Sequence, residues 1–160
     1  MKHSVRIVLF STLSVTLASA AQGQFSAAPA PLSATTVPAA QLIQANDLPP
    51  LLAQNDSAKV PFVIQVGSRV FFEQAHIRGS VYAGPTSQPA GLALLEKAVS
   101  GLAKERFIIL YCGCCPWNRC PNVGPAFKHL HDLGYTNVKV LYMANNFGDD
   151  WVAKGYPTEK

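Results

Sequence analysis

All four cysteines of the chain lie in one stretch, ILYCGCCPWNRCPNVGPAF at residues 109–127. The stretch RFIILY at 106–111, which is apolar after Arg106 and leads into Cys112, is typical of a buried strand. Apolar residues at helical spacing follow the loop, and Gly134 suits the position just after a helix end. The stretch therefore predicts a strand, a cysteine loop and a helix whose inner face is formed by Val123, Phe127, Leu130 and Leu133, with Asn122 as the N-cap.

Strands and helices alternate along the rest of the domain. The runs 60–66 and 137–143 predict two further buried strands, and residues 80–83 predict a brief one. Helical spacing of apolar residues predicts a helix over 92–103, whereas residues 42–54 predict a short helical approach that Pro49 and Pro50 break. This alternation predicts an α/β fold with a mostly parallel central sheet flanked by helices.

The N-terminus has the pattern of a secretory signal peptide over residues 1–20. Lys2 and Arg6 precede an apolar run at 7–20 that ends in Ala-Ser-Ala. Residues 21–41 are rich in Ala, Pro, Ser and Thr and predict a linker, so the domain is expected over residues 42–160. We therefore expect a periplasmic or secreted protein with no stable membrane insertion after processing, with an uncleaved anchor as the alternative.

Composition excludes two broad classes of protein. The chain of 160 residues is 49% hydrophobic and 14% charged, which is outside the range of disordered chains. Without Lys2 and Arg6 it retains 11 basic and 9 acidic residues, a net charge of about +2. The sequence has no basic stripe with interleaved aromatic residues, so we expect no nucleic-acid partner.

The position of the cysteine loop favours thiol chemistry. Ligands and reacting groups in open α/β sheets collect where strands end, and the loop follows such an end. Inward-pointing backbone N–H groups and the cation of Arg119 are expected to favour a thiolate at Cys112 and an anionic substrate. Cys120, close to the predicted helix start, is a second candidate for the reactive or resolving thiol.

Two other roles for the cysteines stay open. Cys114 or Cys115 could form a disulfide with Cys120 in an oxidising compartment, whereas adjacent Cys114 and Cys115 would make a strained pair. The spacing C-x-C-C-x4-C differs from that of structural zinc sites, although a soft ion such as Cu(I) accepts two or three thiolates. We assign no metal ligand and keep a metal-binding module as an alternative.

Residues 42–160 resemble the rhodanese-like family of sulfurtransferases. The matching stretches, in the family's order, are VIQV, FEQAHIRGSVYA, FIILYC, LGYTNVKVL and DWVAKGYPTE. EQAHIRGS resembles the family's Glu-x-x-x-His-Ile-x-Gly motif, and ILYC resembles its strand leading into the active-site cysteine. The sequence departs from the family in a longer loop with three additional cysteines. It departs also at Gln65 and Gly67, which replace a common acid and base and are expected to be structural.

The resemblance implies an enzyme, a thiosulfate sulfurtransferase, with Cys112 as the catalytic nucleophile. Cys112 would take the outer sulfur of thiosulfate or a similar donor, hold it as a persulfide, and pass it to an acceptor thiol or cyanide. Backbone N–H groups of the loop, such as that of Gly113, would bind the anionic donor together with Arg119, and no cofactor is expected. Possible second thiols, which could release the sulfur by forming a disulfide, are Cys120, Cys115 and Cys114.

Two alternatives from other classes stay open. One is a thiol–disulfide oxidoreductase built on the same cysteines, and the other is a non-enzymatic module that binds metal through them. His76 is expected to be a structural hydrogen-bonding residue, and Trp117 either covers the site or packs against the domain.

Overall fold

The centre of the fold is a sheet of five parallel strands. The computed structural model describes residues 36–160, so the predicted signal peptide and residues 21–35 of the predicted linker lie outside the described residues. The strands in this part of the chain are β1 (Leu42–Ile43), β2 (Phe62–Gln65), β3 (His76–Ile77), β4 (Val81–Tyr82), β5 (Ile108–Tyr111), β6 (Val138–Leu141) and β7 (Thr158–Glu159). The sheet order β1-β6-β5-β2-β4 puts β5, which leads to Cys112, in the middle.

The middle strand is buried on both faces. All four residues of β5 are buried, because it pairs with β2 on one side and β6 on the other while helices cover the sheet. Side chains alternate along the strand, so Ile108 and Leu110 belong to one apolar cluster and Ile109 and Tyr111 to the other. Continuous apolar runs are what such a doubly covered parallel strand requires.

Helices cover the two faces of the sheet unequally. The cluster on one face includes residues of the longer helices α3 and α4, and the cluster on the other includes Leu48 and the fully buried Trp151. Trp151 satisfies its ring nitrogen by donating Nε1–H to the Pro157 carbonyl at 3.0 Å. The α-helices are α1 (Leu48–Leu52), α2 (Arg69–Gln74), α3 (Pro89–Val99), α4 (Val123–Asp132) and α5 (Phe147–Asp150).

The predicted fold class is confirmed, and the main strands fall where the sequence placed them. The prediction for Pro49 and Pro50 is wrong: both lie in the first turn of α1, where the missing N–H has no helical partner to lose. Leu133, predicted on the inner face of its helix, is 36% exposed because α4 has already ended there. Gly134 follows that end with the predicted left-handed backbone.

Two small features complete the domain. Strands β3 and β7 form an antiparallel pair apart from the main sheet. Val37, within the segment predicted as a linker, is buried against the core. Within residues 36–160, the helices are all too short or too polar to cross a membrane.

Candidate active site

Cys112 follows the last residue of β5 and is only 5% exposed. Its carbonyl oxygen accepts a hydrogen bond from Nε2 of Gln65, at the end of the neighbouring β2, at 3.2 Å. Oε1 of Gln65 in turn accepts the Gly67 N–H at 3.1 Å. A Cβ at Gly67 would lie 3.0 Å from the Cys112 sulfur, so the glycine leaves the space that the thiol occupies. Gln65 and Gly67 thus position Cys112.

Three thiols form a cluster, here called the thiol cluster, at the start of the loop. The Cys112 and Cys114 sulfurs are 3.0 Å apart and those of Cys114 and Cys115 are 3.5 Å apart. Gly113 between them has a φ of 71°, a left-handed conformation that glycine adopts readily and that folds the chain back sharply. All three sulfurs lie within 4.8 Å of one another, and the four cysteines of the chain are free thiols.

Asn122 and Cys120 are both buried and interact with the Cys112 thiol. Nδ2 of Asn122 donates to the Cys112 sulfur at 3.4 Å, and its Oδ1 accepts the Ser87 N–H at 3.1 Å. Asn122 precedes α4 as predicted, but its side chain makes no capping hydrogen bond to the helix. Sequence reasoning therefore missed its contact with the thiol, because only the folded loop brings the two together.

Two cavities adjoin the loop, and Gly113 borders both of them. A cleft of about 450 Å³ is bordered by Gly113 and Cys114 of the loop and by apolar side chains that include Phe71, Phe147 and Val152. A second cavity of only about 10 Å³ is bordered by four sulfur-containing side chains, those of Cys112, Cys115, Cys120 and Met143. The cleft therefore reaches Cys114, whereas Cys112 borders only the small inner cavity.

Comparison with known proteins identifies the fold. Residues 48–144, more than half of the chain, match the family model of the rhodanese-like domain. This chain belongs to the rhodanese-like domain family. The family's fold is of the sulfurtransferase type, and its members in general use small sulfur donors and thiol acceptors. No curated protein sequence matches the chain significantly.

Solved structures agree with this rhodanese-like fold. The solution NMR structure of the rhodanese-like domain from the Anabaena sp. Alr3790 protein has a TM-score of 0.55 and 23% sequence identity, covering 74% of this chain and 78% of that chain. A crystal structure of the same Anabaena sp. protein has a TM-score of 0.53 and 24% identity, covering 73% and 81% respectively. At these identities the likeness concerns the fold alone.

The Cys112 thiol of this rhodanese-like domain is held in its protonated form. Its hydrogen bond with Cys114 raises its pKa to about 12, and burial adds to that rise, although contacts with Cys120 and Asn122 oppose it. The predicted easily ionised thiolate at Cys112 is therefore wrong. The physical reason is that its nearest partner is a second thiol, where the prediction had placed backbone N–H groups and Arg119.

The other two shifted thiols also resist ionisation. Hydrogen bonding with Cys112, together with burial, raises the pKa of Cys120. Burial is the main cause that raises the pKa of Cys115, whose sulfur also lies 3.7 Å from the Arg119 carbonyl oxygen. The expected benefit of the helix start to Cys120 is thus outweighed by its buried, sulfur-rich surroundings.

The remaining predicted residues lie around this centre. Arg119 is exposed at the end of a short 3-10 turn, borders neither cavity, and has no hydrogen bond or ion pair from its side chain within residues 36–160. Trp117 borders the inner cavity and packs on Tyr142, with ring centres 5.2 Å apart. The buried ring of His76 lies between the Phe72 carbonyl, at 2.8 Å, and Glu159, at 3.3 Å, in the expected structural role.

Proposed function

We propose that this domain is a sulfurtransferase that carries sulfane sulfur as a persulfide on Cys112. Thiosulfate or a similar compound is the donor, and a thiol or cyanide is the acceptor. The observation that carries the proposal is the place of Cys112, buried at the end of the middle strand of a rhodanese-like sheet and beside a cavity of about 10 Å³. That volume is close to the smallest that holds one water molecule, so it suits a single additional sulfur atom.

The chemistry is two successive displacements. The Cys112 sulfur attacks the outer sulfur of thiosulfate while its proton passes to the departing sulfite, the donor's S–S bond breaks, and hydrogen sulfite leaves with the bonding electrons. The acceptor then attacks the outer sulfur of the persulfide, and the cysteine leaves as a thiolate. The Nδ2–H of Asn122, 3.4 Å from the Cys112 sulfur, is placed to stabilise negative charge on that atom in both steps.

Donor binding involves the outer part of the loop. Gly113, which directly follows Cys112, stays a predicted donor-binding residue through its backbone N–H. Arg119 stays a predicted anion-binding residue: its side chain is long and exposed and has no competing partner within residues 36–160. The N-terminal pattern at residues 1–20 supports a periplasmic or secreted setting for this chemistry.

Thiocyanate formation tests this function. The reduced, metal-free chain is mixed with thiosulfate and cyanide, and thiocyanate is measured over time. We expect steady formation, with a loss of at least about 100-fold in Cys112→Ser, equivalent to roughly 2.7 kcal/mol of barrier. Leu133→Ser, a change at an exposed residue remote from both cavities, should keep the wild-type rate. Equal rates in wild type and Cys112→Ser would contradict the proposal.

The thiol cluster supports a second candidate function, the binding of one soft metal ion. Two sulfurs that share a metal at about 2.3 Å lie at most about 4.6 Å apart, and the separations of 3.0 and 3.5 Å meet this limit. Cys120 is outside the group of mutually close sulfurs, so three-coordinate Cu(I) fits better than tetrahedral zinc. Competition with a Cu(I) chelator checks this: one ion per chain, lost in Cys115→Ser, supports it, and no uptake excludes it.

A further inference from the structure

The cleft beside the loop has the size of a small-molecule site and an uncharged lining. Its volume of about 450 Å³ lies in the usual range for bound small molecules. No Lys, Arg, His, Asp or Glu is among the residues that border it, and its polar side chains are the amides of Gln74 and Asn146 and the Cys114 thiol. A free inorganic anion such as thiosulfate finds no cation here to replace its hydration.

Large apolar side chains are exposed at this cleft. Phe71 is 49% exposed and Val152 is 46% exposed, and both border it together with Phe147. Three different segments supply them: α2, α5 and the short turn after α5. An apolar group that covers these side chains gains about 25 cal/mol for each Å² removed from water. The cleft therefore favours a compound with an apolar substituent.

The thiol that meets such a compound is Cys114. It borders the cleft, whereas Cys112 is 5% exposed and borders only the inner cavity. The two sulfurs are neighbours, 3.0 Å apart. In-line transfer from Cys114 to Cys112 requires them to separate far enough to admit the transferred sulfur between them. The loop is held in place there, since the Gly113 carbonyl accepts the Phe147 N–H at 2.9 Å.

We propose that the cleft binds an organic hydropersulfide with an apolar substituent, that Cys114 takes its outer sulfur, and that Cys114 then hands the sulfur to Cys112. This rests on the proposed persulfide chemistry and adds the substrate class and a second catalytic cysteine. When the sulfur leaves the protein, the same steps run in reverse: Cys112 returns the sulfur to Cys114, and an apolar thiol in the cleft accepts it.

Each step balances without a further oxidant or reductant. The Cys114 thiolate attacks the outer sulfur of R–S–SH, the S–S bond of the donor breaks, and R–S⁻ leaves and takes up a proton. Cys112 then attacks the outer sulfur of the Cys114 persulfide. A new S–S bond forms on Cys112, Cys114 leaves, and the proton of the Cys112 thiol passes to it. One sulfane sulfur is moved, and no cysteine is oxidised to a disulfide.

The test compares donors that differ in their substituent. The reduced full chain is given benzyl hydropersulfide, cysteine hydropersulfide or thiosulfate, and sulfur on each cysteine is located over time by fragment-ion mass spectrometry. We expect kcat/KM for the benzyl compound to exceed that for the cysteine compound by about tenfold. Phe71→Ser should remove most of that preference. Leu133→Ser, at a leucine that is 36% exposed and does not border the cleft, should keep it.

Cysteine variants test the route. In Cys114→Ser, loading of Cys112 from the benzyl compound should fall by at least about tenfold, whereas Cys115→Ser should have a smaller effect because Cys115 does not border the cleft. Unchanged circular dichroism of each variant excludes misfolding. Equal use of all donors, or full loading of Cys112 in Cys114→Ser, overturns this inference while the sulfurtransferase function stands. Absence of sulfur from every wild-type sample overturns both.

Discussion

The two sides of the cysteine loop offer different environments to chemically identical side chains. On the inner side, Cys112 and Cys120 are buried, contact each other and Asn122, and border a cavity of about 10 Å³. On the outer side, Cys114 borders an uncharged cleft of about 450 Å³. Burial and the neighbouring cavity therefore determine which role each thiol can have. The inner side suits the storage of one sulfur atom, and the outer side suits contact with other molecules.

Alkylation gives the sharpest measure of this difference. With its pKa raised to about 12, Cys112 is protonated in all but roughly one molecule in ten thousand at pH 8, and its thiolate fraction rises about tenfold with each pH unit up to pH 11. The rate of alkylation of Cys112 by iodoacetamide, followed by peptide mass spectrometry, should rise about 1000-fold over that range.

Replacement of Cys114 tests the cause of that pH dependence. Since the hydrogen bond with Cys114 is the main cause that raises the pKa of Cys112, Cys114→Ala should shift the alkylation profile of Cys112 to lower pH. If the alkylation rate of Cys112 in the wild-type protein levelled off near pH 9, the raised pKa of this thiol would be contradicted.

Crowding the inner side should reduce both stability and sulfur transfer. In Gly67→Ala the new Cβ would lie 2.9 Å from Nε2 of Gln65 and 3.0 Å from both the carbonyl oxygen and the sulfur of Cys112. We expect a loss of about 1–3 kcal/mol in the free energy of unfolding and about a tenfold lower rate of thiocyanate formation. Urea denaturation and the thiocyanate assay measure the two effects. A variant as stable and active as wild type would show that Cys112 does not depend on this space.

The Asn122 side chain connects Cys112 to the segment at Ser87 through two hydrogen bonds. Two substitutions measure their contributions to stability separately. Asn122→Ala removes the donor to Cys112 and the acceptor for Ser87 N–H, and should cost about 1–3 kcal/mol of stability. Asn122→Asp keeps the acceptor, so it should recover most of the stability while the Cys112 persulfide still forms more slowly. Equal stability losses in both variants would mean that the contact with Cys112 carries the structural effect.

Arg119 should give the smallest effect. Because its side chain is exposed, an ion pair with a bound anion is worth at most about 1 kcal/mol. Arg119→Gln should therefore raise KM for thiosulfate by about threefold and leave the use of benzyl hydropersulfide unchanged. Steady-state kinetics with both donors check this, and an equal change for the two donors would exclude a role in binding anions.

The main sheet could be predicted because strands that are buried on both faces consist mainly of apolar residues. β5 is a continuous apolar run, and β2 and β6 are apolar except for Gln65 and Lys139. All three strands lie where the sequence placed them. The two-residue strands β1, β3 and β7 carry no periodic pattern, and their pairing depends on partners distant in sequence. The prediction that Pro49 and Pro50 break a helix was wrong because proline is also common in the first turn of a helix.

The candidate site could be predicted only in part. Cys112 at a strand end follows from a local pattern, and the four cysteines are visible in the sequence. The cleft could not be predicted from the sequence, because Phe71, Phe147 and Val152 come from three segments without a common motif. The protonation of Cys112 also escapes sequence reasoning, because it depends on which of several nearby groups becomes its hydrogen-bond partner after folding.

The most direct test of the central claim is to locate the sulfur after one exposure to a donor. The reduced, metal-free chain is incubated with thiosulfate, desalted and fragmented in the mass spectrometer. We predict one added sulfur atom on Cys112, removed by cyanide with thiocyanate released. No added sulfur, or sulfur that stays on Cys115 or Cys120, would contradict the role of Cys112 as the persulfide carrier.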